Sequence, residues 1–172
     1  MWSIHLRIFK EYSLKIRVGQ GFDVHPFCEN KTLKLGGISV DHPFGLKGHS
    51  DGDVLLHAIA DAILGAIGLQ DIGHHFPPDI EETSGMDSRI ILKKVAQELN
   101  KGDWSICNID STIICEKPKI APYRDKMSDC IAQCLGIATE NVQVKATTTE
   151  KLGFTGRGEG IAALATCLVM KD

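Results

Sequence analysis

The 172-residue chain has no uninterrupted apolar run of the length needed to cross a bilayer. It has no internal repeat, no low-complexity tract and no long linker, which favours a single domain. The net charge of −3 excludes the general electrostatic attraction that draws proteins to nucleic acid or to anionic membranes. An anionic ligand would therefore be held locally, by a few lysines, by backbone N–H groups or by a metal ion. No C-x-x-C pair occurs among Cys28, Cys107, Cys115, Cys130, Cys134 and Cys167. The chain is also longer than the small disulfide scaffolds, so the six cysteines read as reduced, mostly buried thiols of a cytoplasmic protein. The opening MWSIHLRIFKEYSLKIR interleaves charges with apolar residues and lacks the apolar core of a signal peptide. Residues 1–14 are read as an extension of unassigned role, a strand lead-in rather than an organelle-targeting remnant, ahead of one domain over residues 15–172.

What is present is an ordinary globular composition, 43% hydrophobic, with strand and helix patterns interleaved. Residues 15–24 read as a strand and residues 32–40 as a small hairpin around Gly36-Gly37. Residues 53–67 predict a helix capped by Ser50 or Asp51 and left at Gly68. A second helix is expected from Ser88 to Asn100, with Asp87 as cap and Gly102 as stop. Residues 104–115 predict a strand, and Tyr123 to Leu135 a third helix that ends at Gly136. Residues 142–148 and 161–170 predict two more strands, the last ambiguous with a helix because it is apolar on both faces. Without strict βαβ regularity, the expected class is α+β, with helices on one face of a mixed sheet.

Four constellations carry possible chemistry. In Asp23-x-His25 an extended chain points both side chains to one face, so a carboxylate and an imidazole can share an ion. His57 offers a third ligand from an apolar helix, and Asp53 and Asp61, at i, i+4 and i+8 with it, are candidates to orient its ring. Three N/O ligands with an open fourth position suit a catalytic zinc. Spacing alone equally allows three unrelated polar residues, His57 being a satisfied core histidine. His49-Ser50-Asp51, just before the predicted helix, suits a phosphate, or is a plain N-cap.

Lys145-Ala-Thr-Thr-Thr-Glu-Lys151, followed by a glycine-rich run to Gly160, offers hydroxyls, a carboxylate and cations for phosphate oxygens and a second hard cation. It is also good strand sequence followed by turns, and it matches neither a Walker nor a dinucleotide glycine pattern. Pro118-Lys119-Ile120-Ala121-Pro122 is a stiff loop whose backbone could read a base edge, though a strand-to-helix connection is the simpler reading. His74-His75 reads as polar loop.

Taken together, GFDVH (21–25), HSDGDVLLH (49–57), DIG (71–73), Phe76-Pro77, DSR (87–89), PKI (118–120) and KATTTEKLGFTGRGEG (145–160) closely resemble the 2-C-methyl-D-erythritol 2,4-cyclodiphosphate synthase family. The match runs in order from about Lys15 to the C-terminus. The resemblance implies a ferredoxin-like α+β unit, a homotrimer with active sites between subunits, and a metal-dependent cyclisation in non-mevalonate isoprenoid biosynthesis. A cytidine diphosphate compound, 4-diphosphocytidyl-2-C-methyl-D-erythritol 2-phosphate, would close on itself and release CMP.

Position by position, the resemblance makes Asp23, His25 and His57 zinc (Zn2+) ligands and gives Glu150 a magnesium or manganese ion (Mg2+ or Mn2+). His49 and Thr148 become transition-state stabilisers, with Ser50 and Thr147 at the phosphates and Thr149 on a further substrate-binding position. Cys115, Pro118, Lys119, Ile120 and Ala121 fall in the cytidine pocket, Asp71 and Gly73 on ribose or erythritol positions with Phe76 lining the same site, and Val24 and Ile72 on further substrate-binding positions. Phe154 and Arg157 fall on further ligand positions. A central apolar cavity near Phe22, Arg157 and Glu159 would admit an isoprenoid diphosphate. One departure is that many members read Phe-Pro-Asp-Thr-Asp where this chain has Phe76-Pro77-Pro78-Asp79-Ile80, which moves the expected carboxylate contact to Asp79. Two other readings remain from the residues: a metal-dependent phosphohydrolase that uses water as nucleophile, and a non-catalytic nucleotide- or isoprenoid-binding module.

Overall fold

Lys15–Cys28 (β1) is fourteen residues of extended chain whose alternation organises the rest of the fold. The computed structural model describes residues 14–77 and 85–171, so the Asp79 contact and the 1–14 extension up to residue 13 lie outside the described residues. After β1 come a hairpin of Leu33–Leu35 (β2) and Ile38–Val40 (β3), the short Gly45–Leu46 (β4), and the helix Val54–Ile67 (α1). Ile72–His75 (α2) is a single helical turn where a loop is expected, and Ser88–Lys101 (α3) follows. Ser105–Ile114 (β5), Arg124–Leu135 (α4), Val142–Thr147 (β6), Gly153–Gly156 (α5) and Gly160–Lys171 (β7) complete the order.

The strands form a mixed sheet ordered β4-β1-β7-β5-β6. β1 and β5 both pair antiparallel with β7, and β6 runs parallel to β5, a pairing that requires the crossover through α4. The α+β class and the single layer of helices are as the sequence predicts. The connectivity of the long strands is β-α-β-α-β-β in outline, with the consecutive strands last, where a ferredoxin-like unit runs β-α-β-β-α-β. The ambiguous segment 161–170 is a strand. It lies between β1 and β5, and its second apolar face belongs to the side of the sheet that no helix covers among the described residues.

Along β1 the odd positions Gly19, Gly21, Asp23 and His25 turn toward the helices. The even positions Ile16, Val18, Phe22 and Val24 lie 41–64% exposed on the other face. Gly19 and Gly21 permit α1 to lie directly on the strand. A Cβ on Gly21 would stand 2.0 Å from the Ala58 carbonyl oxygen, and one on Gly19 would stand 1.9 Å from that of Ala62. Ala58, Ala62 and Ala66, spaced four apart, form the facing stripe of small residues.

The cap of α1 differs from expectation. Asp53, not Ser50 or Asp51, accepts the Leu56 N–H at 3.1 Å, while the same carboxylate accepts Gly36 N–H at 2.9 Å and Gly37 N–H at 2.6 Å. One fully buried side chain thus caps the helix and ties the β2–β3 hairpin to it. The helix therefore begins at Val54, four residues beyond Ser50, and His49-Ser50 sit on a turn ahead of it. Asp87 and Gly102 bound α3, and Gly136 closes α4, as the sequence predicts.

Candidate active site

β1 presents Asp23 and His25 on its helix side, and the first full turn of α1 sets His57 against them. His25 Nε2 lies 2.9 Å from Asp23 Oδ2, His57 Nδ1 lies 3.0 Å from the same oxygen, and the two ring nitrogens are 3.2 Å apart. Bonds of about 2.0–2.1 Å to a tetrahedral ion place neighbouring ligand atoms roughly 3.3 Å apart, so this triangle fits one face of such a shell. Two imidazoles and a carboxylate, without thiolate, form the group among the described residues that can hold a divalent metal. Burial works against ionisation of Asp23, but hydrogen bonds and charge from His25 and His57 outweigh it and hold the carboxyl well below its ordinary range. Burial likewise lowers His57, and the Asp23 hydrogen bond and charge, with Asp53 and Asp51, more than reverse this and raise it.

The partners of the far side of His57 are not those the helix spacing suggests. Asp53 is committed to the cap, and Asp61 accepts the Ile72 N–H at 2.7 Å, tethering α2. His57 Nε2 instead meets Ser50 Oγ at 2.9 Å and Ser88 Oγ at 3.0 Å. Ser88 in turn donates to Asp51 Oδ1 at 2.5 Å. Ser88 and this use of Asp51 were missed by the helix periodicity; the DSR triplet at 87–89 was the signal at hand.

The triad opens into a cavity of about 410 Å³ lined also by His49, Ser50, Asp61, Asp71, Ile72, Gly73, Phe76 and Ile91. Asp71 caps α2 by accepting the His74 N–H at 3.0 Å. Burial, with the charges of Asp71 and Asp23, raises the Asp61 carboxyl, offset in part by the Ile72 N–H and His57. Of the expected β1 contacts, Val24 turns its side chain to the opposite face and is 41% exposed, and its backbone N–H donates to Asp23 Oδ1 at 2.8 Å.

The remaining predicted residues form a second cluster. The register Val24↔Ala162, Ala162↔Ile114 and Ile114↔Thr147 places Thr147 three strands from β1, roughly 14 Å at about 4.8 Å per strand. There Cys115 N–H donates to Thr147 O at 3.1 Å, which joins the Cys115–Ala121 segment to the threonine loop. Glu116, a residue sequence reasoning did not single out, accepts from the N–H groups of Thr149 and Lys151, both at 3.1 Å. It holds the loop in which Glu150 and Lys151 adopt left-handed φ values of 53° and 66°. Thr148 Oγ1 donates to Glu150 Oε1 at 2.9 Å, and Thr149 meets Thr155 beside Phe154 at 2.9 Å.

Ile120 is 3% exposed and Cys115 4%, so backbone groups dominate what those residues present, while Pro118, Lys119 and Ala121 lie nearer the surface. Arg157, fully exposed, pairs with Glu159 at 2.7 Å. The structure therefore assembles the triad with His49, Ser50, Asp71, Ile72, Gly73 and Phe76, and separately assembles Cys115–Ala121 with Thr147–Glu150. Among the described residues, one copy of the chain does not bring the two clusters into one pocket.

Comparison with known proteins gives this arrangement a family. The model of the YgbB family matches residues 16–170. A 2-C-methyl-D-erythritol 2,4-cyclodiphosphate synthase of Marinobacter nauticus is 56% identical over 154 residues, covering 90% of this chain and 97% of that protein. The synthase of Thiobacillus denitrificans is also 56% identical, over 155 residues, with the same coverage of both chains. Among solved structures, the bifunctional IspDF of Campylobacter jejuni superposes with a TM-score of 0.90 at 41% identity, over 93% of this chain and 43% of that one. The CDP complex of IspF from Plasmodium falciparum superposes at 0.80 and 37% identity, over 91% and 97%. The fold, the ordered motifs and these relatives agree: the chain belongs to the YgbB family of 2-C-methyl-D-erythritol 2,4-cyclodiphosphate synthases.

Proposed function

We propose that this chain converts 4-diphosphocytidyl-2-C-methyl-D-erythritol 2-phosphate into 2-C-methyl-D-erythritol 2,4-cyclodiphosphate and CMP. The observation that carries the reading is the Asp23–His25–His57 triangle, which opens beside His49 and Ser50 into a cavity large enough for a phosphorylated polyol. An oxygen of the substrate's own 2-phosphate forms a bond to the β-phosphorus as the bond from that phosphorus to the bridging oxygen breaks, and CMP leaves with the bridging oxygen. Such a reaction needs two mutually repelling phosphates held in line and their charge neutralised, more than it needs covalent help.

Zinc held by the triad would supply a Lewis acid at a phosphate oxygen, and Glu150 would hold a magnesium or manganese ion. His49 and Thr148 neutralise developing charge, while Ser50, Thr147 and Thr149 bind phosphate oxygens. Asp71, Ile72, Gly73 and Phe76 bound the sugar end, with Asp79 the carboxylate for the erythritol hydroxyls. The cytidine base is taken by Cys115, Pro118, Lys119, Ile120 and Ala121, and Phe154 and Arg157 complete the ligand contacts. The bound CDP of the Plasmodium falciparum structure supports the cytidine assignment.

The separation of the two clusters supports a homotrimer in which the triad of one copy faces the threonine loop of the next. The sheet face that no helix covers among the described residues is then occupied by a second copy of this chain. Ile16, Val18, Phe22, Val24 and Met170 are exposed side by side on that face, and contiguous apolar surface of this kind marks an interaction site. Phe22, Arg157 and Glu159 would lie near the trimer axis, where a cavity would admit an isoprenoid diphosphate. The assembly would work in the cytoplasm. The purified protein, analysed for metal and incubated with the substrate, should contain zinc and yield the cyclic diphosphate with CMP. Release of inorganic phosphate without a cyclic product would instead identify a hydrolase.

A further inference from the structure

Ser88 opens α3 and is completely buried. It does not line the cavity, so any influence on the reaction passes through the groups it touches. Those groups are Asp51, His57 and Ser50, whose Oγ stands 3.3 Å from Ser88 Oγ and can donate to it. Ser88 Oγ donates to Asp51 Oδ1 at 2.5 Å, and the Ser88 backbone N–H donates to Asp51 Oδ2 at 3.2 Å. Asp51 Oδ1 also accepts the Asp53 N–H at 3.2 Å, which keeps the carboxylate in place ahead of α1. A carboxylate oxygen accepts and a hydroxyl has one proton, so the Ser88 proton is directed at Asp51. The side of Ser88 Oγ that faces His57 Nε2, 3.0 Å away, then offers a lone pair. That lone pair is satisfied by a proton on Nε2, and a neutral imidazole protonated at Nε2 carries its own lone pair on Nδ1. Nδ1 is the atom 3.0 Å from Asp23 and 3.2 Å from His25.

We propose that Ser88, oriented by Asp51, is a positioning residue that keeps the His57 ring in its Nε2–H form with the Nδ1 lone pair aimed at the metal position. Ser50 touches the same nitrogen at 2.9 Å but lines the cavity, and among the described contacts no carboxylate dictates the direction of its hydroxyl. The two serines therefore divide the work: Ser88 orients the ring, while Ser50, whose Oγ meets Ser88 Oγ at 3.3 Å and accepts the Gly52 N–H at 3.4 Å, is the one that faces the cavity where a phosphate would bind. The proposal rests on the reading of Asp23, His25 and His57 as zinc ligands. It adds Ser88 and Asp51 to the residues on which that site depends.

The test is a zinc dissociation constant, measured on the full-length protein by competition with a chromophoric chelator. Hydrogen-bond partners of this kind are worth about 10–100-fold in metal affinity, and Ser88→Ala should fall near the lower end because Ser50 remains. Ser50→Ala combined with Ser88→Ala should approach the upper end. Asp51→Asn, which leaves Ser88 in place but removes the carboxylate that directs its proton, should weaken zinc by a similar factor to Ser88→Ala and serves if that variant folds poorly. In the zinc-loaded wild type, the His57 Nε2–H proton should give a resonance protected from solvent exchange, and both single variants should shift it or lose its protection. A merely structural Ser88 would leave that resonance in place. Wild-type protein that binds zinc while Ser88→Ala and Asp51→Asn stay within about twofold of it overturns the proposal, given the 10–100-fold expected. Wild-type protein with no zinc affinity would overturn the ligand reading itself.

Discussion

Replacing Gly21 with alanine puts one methyl group into the contact that aligns the triad. Its Cβ would stand 2.0 Å from the Ala58 carbonyl oxygen, 2.8 Å from the Ala62 nitrogen and 3.0 Å from the Ala58 carbonyl carbon. These are backbone atoms of α1, so no side chain can rotate away. A tolerable carbon–oxygen separation is about 3.3 Å, so strand and helix must part locally by roughly 1.3 Å. Overpacking of this type costs about 1–3 kcal/mol, and the upper end applies because rigid backbone faces rigid backbone.

The displacement reaches the site directly, since Gly21 is two residues before Asp23 and Ala58 follows His57. The 3.0 Å separation of His57 Nδ1 from Asp23 Oδ2 would open past the about ±0.2 Å that a zinc site tolerates in its bond lengths. Gly21→Ala is therefore expected to lower urea stability by about 2–3 kcal/mol and zinc affinity by at least about tenfold. Gly65→Ala, on the exposed side of the same helix with Gln20 O the nearest atom at 4.0 Å, should instead stabilise by about 0.5–1 kcal/mol. Urea titrations of the zinc-free proteins and chelator competition measure both effects. Equal and small effects in the two variants would refute the close-approach argument.

Asp53→Ala leaves the N–H groups of Gly36, Gly37 and Leu56 without their acceptor, and should cost about 3 kcal/mol or more in a urea titration, a loss under about 1 kcal/mol counting against the dual role. Zinc affinity should fall as pH is lowered from about 8 toward 6, because His57, raised above its ordinary value, still holds a competing proton there, while Asp23, held low, adds no slope. An affinity that stays flat across this range would contradict the electrostatic picture. Burial pushes the Cys115 thiol up to about 11 and Cys167 to about 12. The thiolate fraction at pH 8 is then about one in a thousand or less. Iodoacetamide with mass-spectrometric mapping should label half-buried Cys28 and Cys107 well before Cys115 or Cys167 in the folded protein, and prompt labelling of Cys167 would refute it.

The features that local chain geometry controls were legible in the amino-acid order. The two-residue period that puts Asp23 and His25 on one face, the apolar run of α1, the Asp87 cap and the Gly68 and Gly136 stops depend on neighbours within a few positions. The KATTTEKLGFTGRGEG block carried the family, because a long ordered motif is specific where a lone D-x-H is not. Other features depend on how elements dock. Ser88 reaches His57 across 31 positions, and Asp53 turns from the expected stripe on α1 to the β2–β3 hairpin. The distance between the triad and the threonine loop depends on β7 and β5 lying between β1 and β6. Sequence alone therefore determined the main strands and helices and the family they belong to, but not the short elements β4, α2 and α5. The tertiary structure decided which atom of His57 faces the metal position, because only the seating of α1 on Gly19 and Gly21, and of α3 beside it, fixes what lies on each side of the ring.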